Sequence, residues 1–365
     1  MRRFWTSFLK SDRILSVAIL LLFCFGATIL YSLGLGQTTA GLSLVVKQVL
    51  FFVIGISAYL FFMTVDYRLW QPVYPWLYAI SFLLLLALFT PFGEVIRGVR
   101  SWLDFGFFIW QPVEIIKVLM ILSLAGYFCK QGRHLRTWKP LIISGVAVAL
   151  LVVLTMAQPD LGSAMILFLV WLGLVLVLGL SKWQISLMTI GFLLVAVFGW
   201  FFLLQPYQRG RLLTFLDPAR DPLGSGYNLT QSIIAIGSGN WLGRGIGFGS
   251  QSQLRFLPES QADFIFAVVG EELGFAGVLL LLGLYGLVGW RLASIALRTR
   301  SDFGQILCVG VAIAVIGQAI IHISINMGLL PVTGIPLPFM SSGGSYLLSI
   351  MIMMGLAQSV AVHSQ

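Results

Sequence analysis

Ten apolar runs, each about as long as a helix needs to cross the roughly 30 Å hydrocarbon core of a bilayer, govern what this chain can become. They lie near residues 15–33, 45–64, 73–91, 114–129, 141–157, 163–181, 183–204, 267–290, 305–327 and 345–361. Runs of this length cross lipid as helices, which satisfy their backbone N–H and C=O groups internally; barrel strands would instead alternate apolar and polar residues over about ten positions. The expected fold class is an all-α polytopic membrane protein with about ten transmembrane helices. Composition agrees, since 59% hydrophobic residues, 10% charged residues and a mean hydropathy of +0.97 exclude an ordinary soluble domain. The 365 residues suffice for these spans and their loops, so residues 1–365 read as one transmembrane domain.

Basic residues beside short loops set orientation. With the N-terminus inside, that side carries 13 of the 22 Lys and Arg residues: Arg2, Arg3, Lys10, Arg13, Arg68, Lys130, Arg133, Arg136, Lys139, Lys182, Arg291, Arg298 and Arg300. Both termini are then cytoplasmic. The head, Met1 to Arg13, mixes Arg, Trp, Phe and Lys without a small-residue cleavage site and reads as an interfacial anchor. Cys24, Cys129 and Cys308 fall at different depths or sides and build no disulfide framework. His134, His322 and His363 are scattered, and His322, inside a span, suits a polar contact between helices.

One long extracytoplasmic loop, residues 205–266, separates the seventh and eighth spans. It is rich in Gly, Ser, Gln, Arg and Pro, and loops of such length are functional or disordered. Its apolar residues, among them Tyr227, Ile233, Ile236, Trp241, Phe248 and Leu257, favour an ordered segment folded back on the bundle. Alternating Gly243, Gly245, Gly247 and Gly249 suggest tight turns or close backbone approach, and no strand and helix flank them as a dinucleotide site requires.

Ionisable groups inside spans are expensive and therefore candidates for function. Glu114 and Lys117, three apart at the start of the fourth span, share a helical face and can pair. Either they form a structural ion pair, or Lys117 faces a polar cavity and meets an anionic ligand. Lys47, at the start of its span, is expected to snorkel outward. Asp160, in Gln158-Pro159-Asp160-Leu161-Gly162-Ser163, either caps the following helix or lines a cavity. Pro258-Glu259 resembles the first turn of a helix, whose dipole suits acids at Glu259 and at Asp263. Glu271 and Glu272 lie roughly 12 to 14 Å beyond Asp263 along a helix, too far for a close carboxylate pair, and read as helix-end acids.

These residues sit within motifs that resemble the SEDS family (shape, elongation, division, sporulation). Gln251-Ser252-Gln253-Leu254 through Phe256-Leu257-Pro258-Glu259, Asp263-Phe264-Ile265-Phe266-Ala267-Val268 and Gly270-Glu271-Glu272-Leu273-Gly274 carry the resemblance. Five further blocks agree in order: Arg100-Ser101-Trp102-Leu103 with Gln111-Pro112-Val113-Glu114, Gln158-Pro159-Asp160, Phe215-Leu216-Asp217-Pro218, Gln231-Ser232 with Gly237-Ser238-Gly239, and Gly328 to Phe339. The resemblance spans nearly the whole chain. It implies a ten-span peptidoglycan glycosyltransferase that polymerises lipid II at the outer face of the bacterial cytoplasmic membrane. It also implies a class B penicillin-binding protein as partner, with lipid II, polyprenyl diphosphate and other elongation-complex membrane proteins; no nucleic acid is expected. Short tails and the 251–254 and 331–339 wording lie closer to the RodA branch than to the FtsW branch. The family's essential aspartate falls on Asp263, and its polar cavity positions on Glu114, Lys117 and Asp160. The chain departs from the family at Gln261-Ala262, where His-Thr is usual, at Val113 for Ser, and at Ser342 for Tyr.

The chemistry follows. Joining a sugar hydroxyl to an anomeric carbon that carries a lipid diphosphate needs a base for the hydroxyl proton, and the carboxylate of Asp263 suits that role. Diphosphate is already a competent leaving group, so its developing charge calls for cations rather than the general acid of a glycosidase. Candidates are Lys117, Arg209, Arg211 and Arg255, or a divalent cation, with Arg100 and Glu259 as further substrate contacts. A single displacement inverts the anomeric centre. The alternative is a flippase for lipid-linked precursors, which also needs a polar cavity and broken helices.

Overall fold

The computed structural model describes residues 10–35, 40–91, 93–96, 99–104, 109–132, 137–204, 206–217, 220–221 and 224–364. Of the sequence expectations, the head before Lys10, Arg97, Arg133, His134, Arg136, Gln205 and Pro218 lie outside the described residues. Each of the ten apolar runs coincides with a helix: α1 (Arg13–Leu35), α2 (Ala40–Thr64), α3 (Tyr74–Ala87), α4 (Pro112–Gln131), α5 (Trp138–Ala157), α6 (Leu161–Val177), α7 (Lys182–Phe198), α11 (Ile265–Arg298), α12 (Asp302–Asn326) and α13 (Gly344–His363). Three shorter helices, α8 (Pro206–Leu216), α9 (Ser225–Ser238) and α10 (Ser250–Gln253), lie in the expected outer loop. Among the described residues, seven helices are long and apolar enough to cross a membrane, and α3 and α6 are shorter apolar helices. The protein is a mostly helical, multi-pass membrane protein.

The expectation of an all-α chain is corrected by a small antiparallel sheet of β1 (Gly93–Ile96), β2 (Val99–Asp104) and β3 (Ile109–Trp110), in that order. Glu94 pairs with Trp102, Ile96 with Val99, and Leu103 with Trp110. The segment is rich in branched and aromatic residues but too short and too polar to register as an apolar run, so a search for spans passes over it.

Helix α13 is apolar around its whole circumference and buried nearly everywhere, as a helix surrounded by others must be. It packs against α2, α4, α11 and α12. Its approach to α2 depends on small residues: a Cβ on Gly355 would stand 2.6 Å from the Tyr59 carbonyl oxygen, and one on Gly344 2.4 Å from the Phe51 ring. Close backbone approach at glycine is the usual basis of helix association in lipid. The two chain ends meet on one side of the bundle, where the Gln358 side chain accepts from Asp12 N–H and donates to the Asp12 carbonyl, both at 2.8 Å.

The outer segment is folded and anchored. Helix α9 packs on α11 and α12 and buries Leu229 and Ala235. Leu257 is buried too, whereas Trp241, Leu242, Phe248 and Leu254 face outward. Between α9 and α10 a glycine-rich strap lies across α11, with Gly243, Gly245 and Gly247 in the left-handed region. At the crossing, a Cβ on Gly274 would stand 2.3 Å from Gly243 N, and Gly274 itself interrupts α11 with φ 63° and ψ −161°.

Two expectations about acids are corrected here. Glu271 and Glu272 are not helix-end acids; they lie within α11 and are fully buried. Glu271 accepts from Gln251 N–H at 2.7 Å and Ser252 N–H at 3.0 Å. Glu272 accepts from Ser32 Oγ–H at 2.6 Å and from Gly247 N–H and Gln253 Nε2–H at 3.3 Å. Glu271 thus satisfies the otherwise unpaired N–H groups at the start of α10, and Glu272 that of Gly247 in the strap, which has neither helix nor sheet to pair it. Glu259 is not in a first helical turn either. It adopts φ 50°, its carbonyl accepts from Ala262 and Asp263 N–H at 3.0 Å, and α11 starts only at Ile265.

Candidate functional site

A cavity of about 700 Å³ opens where the starts of α4, α6, α11 and α13 meet the segment linking α12 to α13. Trp102 of β2 and Arg211 of α8 close two of its sides. Four of its lining groups are carboxylates, Glu114, Asp160, Glu259 and Asp263, and among the described residues its cations are Lys117 and Arg211. Sequence positions as far apart as 114 and 263 are therefore brought to one space.

The floor is a buried ion pair. Lys117 Nζ stands 2.9 Å from Glu114 Oε1 and 2.8 Å from Oε2, and the two side chains are 3% and 4% exposed. Lys117 also donates to Gln318 Oε1 at 3.4 Å and lies 5.4 Å from the centre of the Tyr346 ring. Ser349 Oγ–H donates to Glu114 Oε2 at 3.3 Å. Charge buried at this depth is tolerated because each group is paired and hydrogen-bonded. The pair is an ion pair between buried groups, and both members line the cavity.

Asp160 satisfies both of its readings. As N-cap of α6 it accepts from Ser163 N–H at 2.9 Å and Ser163 Oγ–H at 2.8 Å, and Gln111 Nε2–H reaches its outer oxygen at 3.4 Å. A cap bound to the first turn of a buried helix is rigid, so the oxygen it turns to the cavity has a fixed place.

Asp263 stands two residues before α11, with its backbone clamped from two directions. Asn326 Nδ2–H donates to the Asp263 carbonyl at 3.0 Å while Asn326 Oδ1 accepts from Ala267 N–H at 3.1 Å. On the other side Ser341 Oγ–H donates to the Ala262 carbonyl at 2.6 Å, and Ser342 N–H to the Gln261 carbonyl at 2.9 Å. The carboxylate faces Gly334, where a Cβ would come within 3.6 Å of Oδ2. In this fold Gln261-Ala262 therefore contribute backbone carbonyls to the clamp.

Of the other candidates, Arg211 lines the cavity and donates to the Val332 carbonyl at 3.2 Å, and Glu259 lines it as well. Arg209 points elsewhere, donating to the Phe201 carbonyl at 3.1 Å, and Arg255, exposed with φ 61°, is not part of the lining. The reason is helical phase: residues two apart on α8 sit about 200° apart around the axis, so only one of Arg209 and Arg211 can face inward. Arg100 lies in β2, and its side chain lies outside the described residues. Among the described residues, no group of three or more His, Cys, Asp and Glu side chains converges as a metal site.

Several polar partners escaped the sequence reading: Gln111, Gln318, Asn326 and Ser341. A signal existed for two of them. Gln318, His322 and Asn326 recur every fourth position of an apolar run, which puts three polar side chains on one face of α12. That face turns inward, where His322 Nδ1 lies 2.7 Å from the Ile335 carbonyl oxygen, a contact to the linking segment rather than to another helix.

Comparison with known proteins places this architecture. The peptidoglycan glycosyltransferase MrdB of Escherichia coli K12 is 36% identical over 368 residues, covering 99% of this chain and 96% of that one. The probable peptidoglycan glycosyltransferase FtsW of Thioalkalivibrio sp. K90mix is 37% identical over 328 residues, covering 87% and 80%. A chain from a solved peptidoglycan synthase complex that coordinates polymerization and crosslinking superposes with a TM-score of 0.82 at 29% identity, covering 97% and 98%. A family model described as cell cycle protein, FtsW/RodA/SpoVE, matches residues 12–365, and on that span the chain belongs to the FtsW/RodA/SpoVE family.

Proposed function

We propose that this protein is a peptidoglycan glycosyltransferase of the bacterial inner membrane, polymerising lipid II into glycan strands at the outer face. The observation that carries the reading is the clamped carboxylate of Asp263 in a cavity of about 700 Å³ that also holds the Glu114–Lys117 pair, Asp160 and Arg211. Relatives named peptidoglycan glycosyltransferase, aligned over most of their length, support the class of reaction.

In the mechanism, Asp263 accepts the proton of the attacking sugar hydroxyl as that oxygen bonds to the anomeric carbon of the other substrate. The diphosphate leaves from the opposite face, so one displacement converts an α-linked donor into a β-linked chain. Arg211, whose guanidinium is held by the Val332 carbonyl, is the cation best placed to meet the departing diphosphate. Lys117 is committed to Glu114 and acts by keeping the cavity floor polar and fixed. A divalent cation at the diphosphate would supply further charge neutralisation when bound, with the lining carboxylates Asp160 and Glu259 as its candidate ligands. Clamping fixes the base relative to both substrates before reaction, which is where positioning lowers a barrier.

Helix α8 closes one side of the site through Arg211, and the substrates' polyprenyl chains reach it sideways through the bundle. The role is elongation and shape, with a class B penicillin-binding protein as partner. The wording at residues 251–254 and 331–339 supports the first assignment, and the synthase complex supports the second. The test is polymerisation of purified lipid II by the protein with its partner, read as glycan chains on a gel. Asp263→Ala is expected to abolish the ladder while remaining folded in detergent; a normal ladder sinks the base assignment. Lipid flipping in liposomes without polymer would return the protein to the transporter class.

A further inference from the structure

At the end of the bundle opposite Asp263, a second cavity of about 240 Å³ opens between residues 10–12, the last turns of α11 and the end of α13. Helices α1 and α11 connect the two ends. Near the strap they meet through Ser32 and Glu272, and at their far ends through Asp12 and Arg291.

The cavity is basic. Lys10, Arg291 and Arg298 line it against a single carboxylate, Asp12. Arg291 is spent on Asp12, with Nε donating to Oδ1 at 3.2 Å and Oδ2 at 2.9 Å, and the pair is largely buried. Lys10 and Arg298 are exposed, and among the described residues neither has a hydrogen-bonding or ionic partner, so both present their charge to one opening. Arg298 lies in the last turn of α11, where the helix dipole favours a cation.

The setting selects the kind of anion. Three helices of membrane-crossing length, α1, α11 and α13, have an end at the cavity, which sets it near a membrane surface rather than in the hydrocarbon core. Trp290, 61% exposed, stands next to it with the Arg291 guanidinium 5.3 Å from its ring, as expected of an aromatic at the interface. Ser294 and Thr299 put hydroxyls into the same space, while Ile295 and Val360 make an apolar wall. A small, fixed pocket with cations, hydroxyl groups and an apolar side matches an amphiphile with a phosphate head. We propose that this cavity binds the headgroup phosphate of an anionic phospholipid, with Lys10 and Arg298 as its charge contacts and the Asp12–Arg291 pair as its rigid wall.

Native mass spectrometry of the full chain in neutral detergent, titrated with phosphatidylglycerol, phosphatidylcholine or inorganic phosphate, tests this. Phosphatidylglycerol should be retained in preference to phosphatidylcholine. Each of Lys10→Gln and Arg298→Gln should weaken retention about fivefold, and the pair about 25-fold, from the usual contribution of one basic residue near an anionic surface. Lys10→Arg with Arg298→Lys should keep it, and Arg300→Gln, outside the lining, should not change it. Equal retention of phosphatidylcholine, a double variant that binds as the wild type does, or an equal loss in Arg300→Gln would each overturn the proposal. Displacement of the lipid by millimolar phosphate would too, by making the pocket a site for a soluble anion. Since both substituted side chains are exposed, an unchanged lipid-free melting temperature is expected to accompany the loss.

Discussion

Replacing Glu271 by Ala removes the acceptor that ties the start of α10 to α11. Its two oxygens receive the N–H groups of Gln251 and Ser252 at 2.7 and 3.0 Å, with Ser250 Oγ at the limit of reach, 3.5 Å. A hydrogen bond to a charged, buried acceptor contributes about 1.5–3 kcal/mol, so losing two costs about 3–6 kcal/mol. The loss should be local, because Arg244 and Gly245 still donate to the backbone carbonyls of Glu271 and Glu272 at 3.0 and 2.9 Å. Hydrogen exchange by mass spectrometry reads it directly: amides 250–253 should exchange about 10² to 10⁴ times faster in the variant, at about 1.4 kcal/mol per factor of ten. Segments within α12 and α13 should not change. Glu271→Gln keeps one carbonyl acceptor and should fall between the two. Protection at 251–252 that survives Glu271→Ala would refute the anchoring role.

Three other outcomes are expected. Lys117→Ala strands the buried Glu114 carboxylate and should lower stability by about 3–5 kcal/mol, whereas Glu114→Gln with Lys117→Met should regain most of it by thermal unfolding in detergent. A double variant as unstable as the single one contradicts the pairing. Gly274→Ala places a Cβ against Gly243 N at a residue with φ 63°, so it should shift strap and helix and cost a few kcal/mol; an unchanged melting temperature would refute the crossing. Asn326→Ala removes one of the two acceptors of the Ala267 N–H and the side-chain donor to the Asp263 carbonyl. It should lower kcat more than it raises KM in the polymerisation assay, and the reverse split would mark a substrate-binding role.

What could be read in advance followed from local chemistry. Lipid accepts only internally bonded backbone, so the ten apolar runs from 15–33 to 345–361 had to appear as helices. Glu114 and Lys117 are three apart on a helix, and their pairing needs no knowledge of the fold. Asp160 before Gly162 and Ser163 announces a cap. Asp263 and the motifs around it carried the family.

Distance in sequence hid the rest. Glu271 looked like an acid near a helix start because nothing local shows that a glycine strap more than 20 residues earlier will lie across it. Arg209 and Arg211 looked equivalent until helical phase turned one outward. Gln318 and Asn326 looked like minor polar residues in a span, yet one meets Lys117 and the other the backbone of Asp263. The sequence by itself determined a helical membrane protein and its family, because period, length and motif are local and survive without neighbours. Only the tertiary structure decided which acids face the cavity and which hold the strap, because in a low-dielectric interior a charge is placed by its partners, and the chain brings those partners together from distant positions.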